Sequence, residues 1–312
     1  MSLSVSFFYT ARQWALYNPH NSITPFAFTG MVGGVHSEHF KELGLPWKPR
    51  IGALWMTAEL LTLEKPKSVE SYQDVFGAYN AVWFFGSLLL LIVFLRDSLF
   101  PVIATFAGTM YAVTVTTYNT FFDDVHILPW DFPAMFFFTL SFLFWTRKQY
   151  GWMLLAIVLG TLFKESVALT AVLLFFTDKP LKRQLRDFSI AFAGCLIVHL
   201  VVTHYVLGSP TVLTAGHSAF GSLWSSAKRM WVWETCPHLN SIIWCDGGMM
   251  LTVFFFKPNT AEERGIVIVL ALFAACLTIT PIIDKSCYEA RHWTDCLPML
   301  AIYFQKKFPN EL

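Results

Sequence analysis

Apolar runs without a charged side chain recur along this chain, among them AVWFFGSLLLLIVFL (81–95), FPAMFFFTLSFLFW (132–145) and GIVIVLALFAACLTITPII (265–283). Stretches approaching the length that crosses a hydrocarbon core of about 30 Å read as spanning helices. In lipid the backbone N–H and C=O groups have to be satisfied within the segment, which helices do. Composition agrees: 55% of the 312 residues are hydrophobic, 31 are Phe and only 14% are charged. The reading is an all-α, polytopic integral membrane protein with about nine apolar helical segments. They lie near 79–95, 99–118, 128–146, 151–163, 165–177, 188–207, 241–256, 265–283 and 293–305.

Residues 1–78 are mixed in composition and form a separate N-terminal segment, placed on the outer side, ahead of a transmembrane helical domain over 79–312. Within it, IGALWMTAELLTL (51–63) is too short to span and reads as an interfacial or buried helix, with Pro49 suited to its start. The opening MSLSVSFFYTARQW has no basic region ahead of an apolar core, so no cleavable signal peptide is expected. A formal net charge of +1 argues against a nucleic-acid surface. No Gly-rich phosphate loop, HExxH or CxxC spacing is present, so neither a metal nor a cofactor is expected.

The stretch 151–177 is the awkward one. It is apolar throughout except for Lys164 and Glu165 side by side at its centre, and it is bounded by basic residues on both sides. Arg147 and Lys148 precede it; Lys179, Lys182, Arg183 and Arg186 follow it. Because cytoplasmic loops collect Lys and Arg, both ends belong on the same side. One crossing does not allow that, whereas a hairpin of two short helices does. Lys164 and Glu165 then lie at its tip, on the outer side. The remaining loops fall into register, with Arg96, KPNTAEER (257–264) and Lys306–Lys307 inside.

This topology gathers Arg50, Asp123, Asp124, His126, Asp131, Lys164, Glu165, Glu289 and Arg291 at the outer boundary, Arg50 only if the N-terminal segment is outside. Convergent acids and bases there fit a site for a charged group such as a lipid phosphate. Guanidinium forks and ammonium charges suit phosphate oxygens, and a nearby carboxylate suits a general base. Plainer roles stand beside these. Asp131 in LPWDFP fits a helix-capping carboxylate; Lys164 and Glu165 fit snorkelling tip charges; Glu289 and Arg291 fit an interfacial ion pair. Lys164 and Glu165, as sequence neighbours, do not face each other on a helix and are expected to have different partners. Cys236 and Cys245 share one outer loop and are a candidate disulfide pair in an oxidising compartment.

Three stretches, KPRIGALWMTAELL (48–61), WDFPAMFFFTLSFLFWTRKQYGWMLLAIVLGTLFKESVALTAVLLFF (130–176) and YEARHWTDCLPMLAIYF (288–304), together resemble bacterial polytopic proteins related to the C-type integral-membrane (GT-C) glycosyltransferases. In that group an aspartate opens a Phe-rich helix, as Asp131 does. A G-x-L-x-(K/R)-E element sits at a helix junction, as Gly160 to Glu165 do. A late E-x-R precedes a Pro-containing last helix, as Glu289, Arg291 and Pro298 do.

The resemblance implies transfer of a sugar from a polyprenyl-phosphate-linked donor at the outer face of a bacterial inner membrane, with membrane lipids as surroundings. It assigns Glu38, Glu42, Asp131 and Glu165 as candidate bases, and Arg50, Lys164, Glu289 and Arg291 to the lipid phosphate. Glu38 and Glu42 stand in for the group's outer-loop carboxylate, since no Asp precedes Asp74. Two other readings compete: a transporter or flippase, because a broken helix with charge at its tip is also a transporter feature, and a non-catalytic membrane subunit.

Overall fold

The computed structural model describes residues 51–63, 69–96, 130–202, 255–284, 299–300, 302–303 and 307. Most of these residues are helical, with no strand among them. The main elements are α1 (Ile51–Thr62), α2 (Val69–Arg96), α3 (Asp131–Thr146), α4 (Tyr150–Thr161), a 3₁₀ helix (Glu165–Phe176), α5 (Leu181–Val201) and α6 (Ala261–Asp284). The expected helices near 99–118 and 241–256 lie almost wholly outside the described residues. Two boundaries move: α2 begins ahead of the apolar run at 79, and α5 begins at Leu181, so its first two turns carry the basic residues expected in a loop. Two described helices, at Asp74–Phe94 and Leu181–Val201, are long and apolar enough to cross a membrane.

Aromatic contacts fix the helix directions. Phe84 meets Phe132 at 4.9 Å between ring centroids and Phe94 meets Phe142 at 5.6 Å, so α2 and α3 run parallel. The link from α3 to α4 is tight: the Gln149 N–H donates to the Phe144 carbonyl at 2.8 Å, and Lys148 adopts a left-handed φ of 58°. From there α4 returns antiparallel to α3, bringing Phe163 to stack on Phe137 at 5.3 Å.

The second apolar arm turns back at Lys164, whose backbone is extended (φ −158°, ψ 134°). Before it, the Phe163 and Lys164 N–H groups both donate to the Gly160 carbonyl at 3.0 Å, closing α4. The arm that follows is a 3₁₀ helix, where the sequence reading expected an α-helix. Twelve residues is long for this form, whose runs usually stop at about four. It packs against α3, α4, α5 and α6, so it occupies the middle of the bundle. Its buried residues include Val167, Thr170 and Leu173, the three-residue stripe that a 3₁₀ helix places on one side. Trp145 reaches across from α3, its indole N–H donating to the Leu173 carbonyl at 3.0 Å.

Both arms start and finish at one end of the bundle. Lys148, before α4, pairs with Asp178, after the 3₁₀ helix. The Lys179 ammonium lies 4.3 Å from the Tyr150 ring centroid. The hydrogen bond and charge of Asp178 hold the Lys148 ammonium above the usual lysine range. Gln184 donates to the Thr177 and Lys179 carbonyls at 2.8 and 2.9 Å, satisfying acceptors left over where the 3₁₀ helix stops. The start of α6 joins this end: Gly265 lies against Phe176, and Lys307 bridges Glu263 at 2.6 Å. The Thr260 hydroxyl accepts the Glu263 N–H at 3.1 Å while the Glu263 carboxylate accepts the Asn259 N–H at 2.7 Å, a reciprocal cap.

Candidate functional site

At the opposite end, the hairpin tip meets the start of α3. Lys164 Nζ lies 3.3 Å from Asp131 Oδ1, and the two residues are 5% and 8% exposed. Asp131 is the first residue of α3. Trp130, ahead of it, supplies no side-chain cap, so the carboxylate meets both the helix's positive end and the lysine. Lys164 is delivered by the extended backbone at the tip, which aims its side chain back into the bundle. A buried ammonium and carboxylate each lose hydration, and only close pairing offsets that loss.

Close backbone contacts hold the tip against its neighbours. The Gly52 N–H of α1 donates to the Leu162 carbonyl at 2.9 Å, and a Cβ at residue 52 would come within 3.0 Å of that same oxygen. Gly160 is tighter still. A Cβ there would lie 2.5 Å from Val167 Cγ1 and 2.8 Å from Phe137 Cβ, so the approach of the 3₁₀ helix and α3 depends on glycine. Trp83 caps the aromatic wall beside the pair, with Phe136 and Phe163 each at 5.3 Å and Phe137 at 5.7 Å.

Of the sequence-derived site residues, the structure brings Asp131 and Lys164 together and separates Glu165 from them in environment. Glu165 opens the 3₁₀ helix and is exposed, whereas Lys164 is buried. Lys164 is therefore not a snorkelling tip charge: the tip folds its side chain inward, onto Asp131. Lys164 pairs with Asp131, while Glu165 differs from it in exposure. Glu38, Glu42, Arg50, Glu289 and Arg291 lie outside the described residues, as do Asp123, Asp124, His126 and the Cys236–Cys245 pair. Among the described residues no group of three or more His, Cys, Asp or Glu side chains is placed to hold a metal ion.

Three polar groups escaped the sequence reading. The Asn80 amide oxygen and the Ser166 hydroxyl are buried and have no hydrogen-bond partner among the described residues, and the Tyr79 hydroxyl is buried beside Trp83. Tyr79 packs in the same cluster as Trp130 and Phe163, the residues preceding Asp131 and Lys164. The available signal was the Tyr-Asn step in GAYNAVWFF, a polar pair at the head of an apolar run.

The arrangement offers a carboxylate oriented by an ammonium inside an apolar wall, with an exposed second carboxylate beside it. That combination suits proton transfer from a hydroxyl together with stabilisation of an anion. No family model matches this chain, and no curated protein or solved structure matches it at a significant level.

Proposed function

We propose that this chain is a membrane-embedded glycosyltransferase using a polyprenyl-phosphate-linked sugar. The observation that supports it is the Asp131–Lys164 contact. One residue comes from the aspartate that opens the Phe-rich helix, the other from the G-x-L-x-K-E element, and the two motifs meet at 3.3 Å. In this reading Asp131 or Glu165 accepts the proton of the acceptor hydroxyl. The bond from the sugar's anomeric carbon to the acceptor oxygen forms as the bond to the carrier phosphate breaks. The lipid phosphate leaves with the bonding electrons, and Lys164, joined by Arg291 and Arg50, stabilises the developing charge. The site faces the outer side of a bacterial inner membrane, the side opposite the basic end of the hairpin.

The test is transfer from a lipid-phosphate sugar by the purified full chain. Lys164→Ala and Arg291→Ala abolish transfer, the first assayed below its lowered melting temperature, where the protein is still folded; full activity in both variants would remove the assignment. One observation favours a transporter as the second reading: the 3₁₀ arm is a half-length element surrounded by four helices, with buried charge at its tip. Substrate flux into proteoliposomes without any covalent product distinguishes it.

A further inference from the structure

The outward side of α5 carries a feature that the transfer chemistry does not use. Only 11% of Leu181–Val201 is buried, against 44% of the other long apolar helix. Its inner side is narrow: Asp187 and Ala191 are buried, and Gly194 abuts Val158 of α4. The opposite side exposes Ile190, Leu196, Ile197 and Leu200 by 45–59%. Lys182, Arg183 and Arg186 are exposed as well. At the turn of an α-helix these three fall within an arc of about 100° and continue the same exposed apolar stripe toward the helix start.

The cations there exceed the carboxylates that neutralise them. Asp187 is fully engaged: Oδ2 takes Lys179 at 2.5 Å, and Oδ1 takes Arg186 at 2.8 and 3.0 Å. Asp178 is held by Lys148. The Lys182 and Arg183 side chains carry no ion pair or hydrogen bond among the described residues. Among the described residues their charge is therefore uncompensated where the apolar stripe begins. Long basic side chains at such a boundary lay their stems on apolar surface and hold their heads at headgroup level.

We propose that this turn of α5 is a docking site for anionic phospholipid headgroups, with the acyl chains lying along Ile190, Leu196, Ile197 and Leu200. Charge complementarity fixes the headgroup class, and the continuity of cations with an exposed apolar stripe fixes a lipid, in preference to a soluble anion, as the occupant. The site lies at the opposite end of the hairpin from Asp131 and Lys164 and does not depend on the transferase reading.

The test is native mass spectrometry of the full chain released from nanodiscs of mixed phosphatidylcholine and phosphatidylglycerol. Wild-type protein retains phosphatidylglycerol adducts in preference, and the preference falls as salt rises. The Lys182→Gln, Arg183→Gln variant leaves the Lys179–Asp187–Arg186 network intact, so its fold is preserved. It loses preference by about fivefold for each cation removed. Unchanged preference in the variant, equal retention of both lipids by wild type, or a lipid-free dimer in which a second copy covers α5 would each overturn the proposal.

Discussion

Asp131 and Lys164 each supply the opposite charge that the other's burial requires. Both are almost fully buried, and removing one strands the other's charge at a cost of about 3–5 kcal/mol. Lys164→Met and Asp131→Leu are each expected to destabilise by that order. The double variant is expected to recover most of the loss, because no unpaired charge remains. Thermal unfolding of all three in one detergent checks this, and additive losses would mean that the contact at 3.3 Å contributes no coupling. The sequence nominated both residues but not their pairing. Lys164 and Glu165 are adjacent and look equivalent as letters. They part only because Lys164 occupies the extended turn and Glu165 the first position of the next helix. Tyr79 and Asn80 were missed for a related reason: nothing local distinguishes a polar side chain that the fold buries from one that it leaves exposed.

The element that organises the bundle is the 3₁₀ arm. At about 2.0 Å per residue it covers more length than an α-helix of the same count, so twelve residues reach from the tip to the basic end. Its closeness to α3 and α4 depends on Gly160. Gly160→Ala is expected to destabilise by about 1–3 kcal/mol, since Phe137 Cβ and Val167 Cβ are fixed to their backbones and the elements themselves have to move. Alanine's better helix propensity, about 1 kcal/mol, offsets part of this. A raised melting temperature for Gly160→Ala would show that the 3₁₀ arm is free to shift. The hairpin was legible from charge, because basic residues on both sides of one apolar stretch require both ends together. Its helix type was not legible: ESVALTAVLLFF has no glycine or proline, and its buried positions fit either period.

At the scale of the molecule, charge divides along the bundle. Lys148, Asp178, Lys179, Asp187, Glu263 and Lys307 form ion pairs at one end, and Asp131 with Lys164 lies at the other. In sealed, oriented vesicles, single cysteines at Glu165 and Lys182 are expected to react with a membrane-impermeant maleimide from opposite sides. Labelling of both from one side would break the hairpin topology.

Local sequence determined the helical class and the presence of stretches able to cross a membrane, because hydrophobic length and the scarcity of charge are properties of contiguous residues. It also placed the two ends of the hairpin together, since the distribution of Lys and Arg is read along the chain. Only the tertiary structure decided that Lys164 turns inward to Asp131, that the second arm is a 3₁₀ helix, and that α5 is left largely uncovered. Each of those outcomes depends on which surfaces distant segments present to one another, and no window of the sequence contains that information.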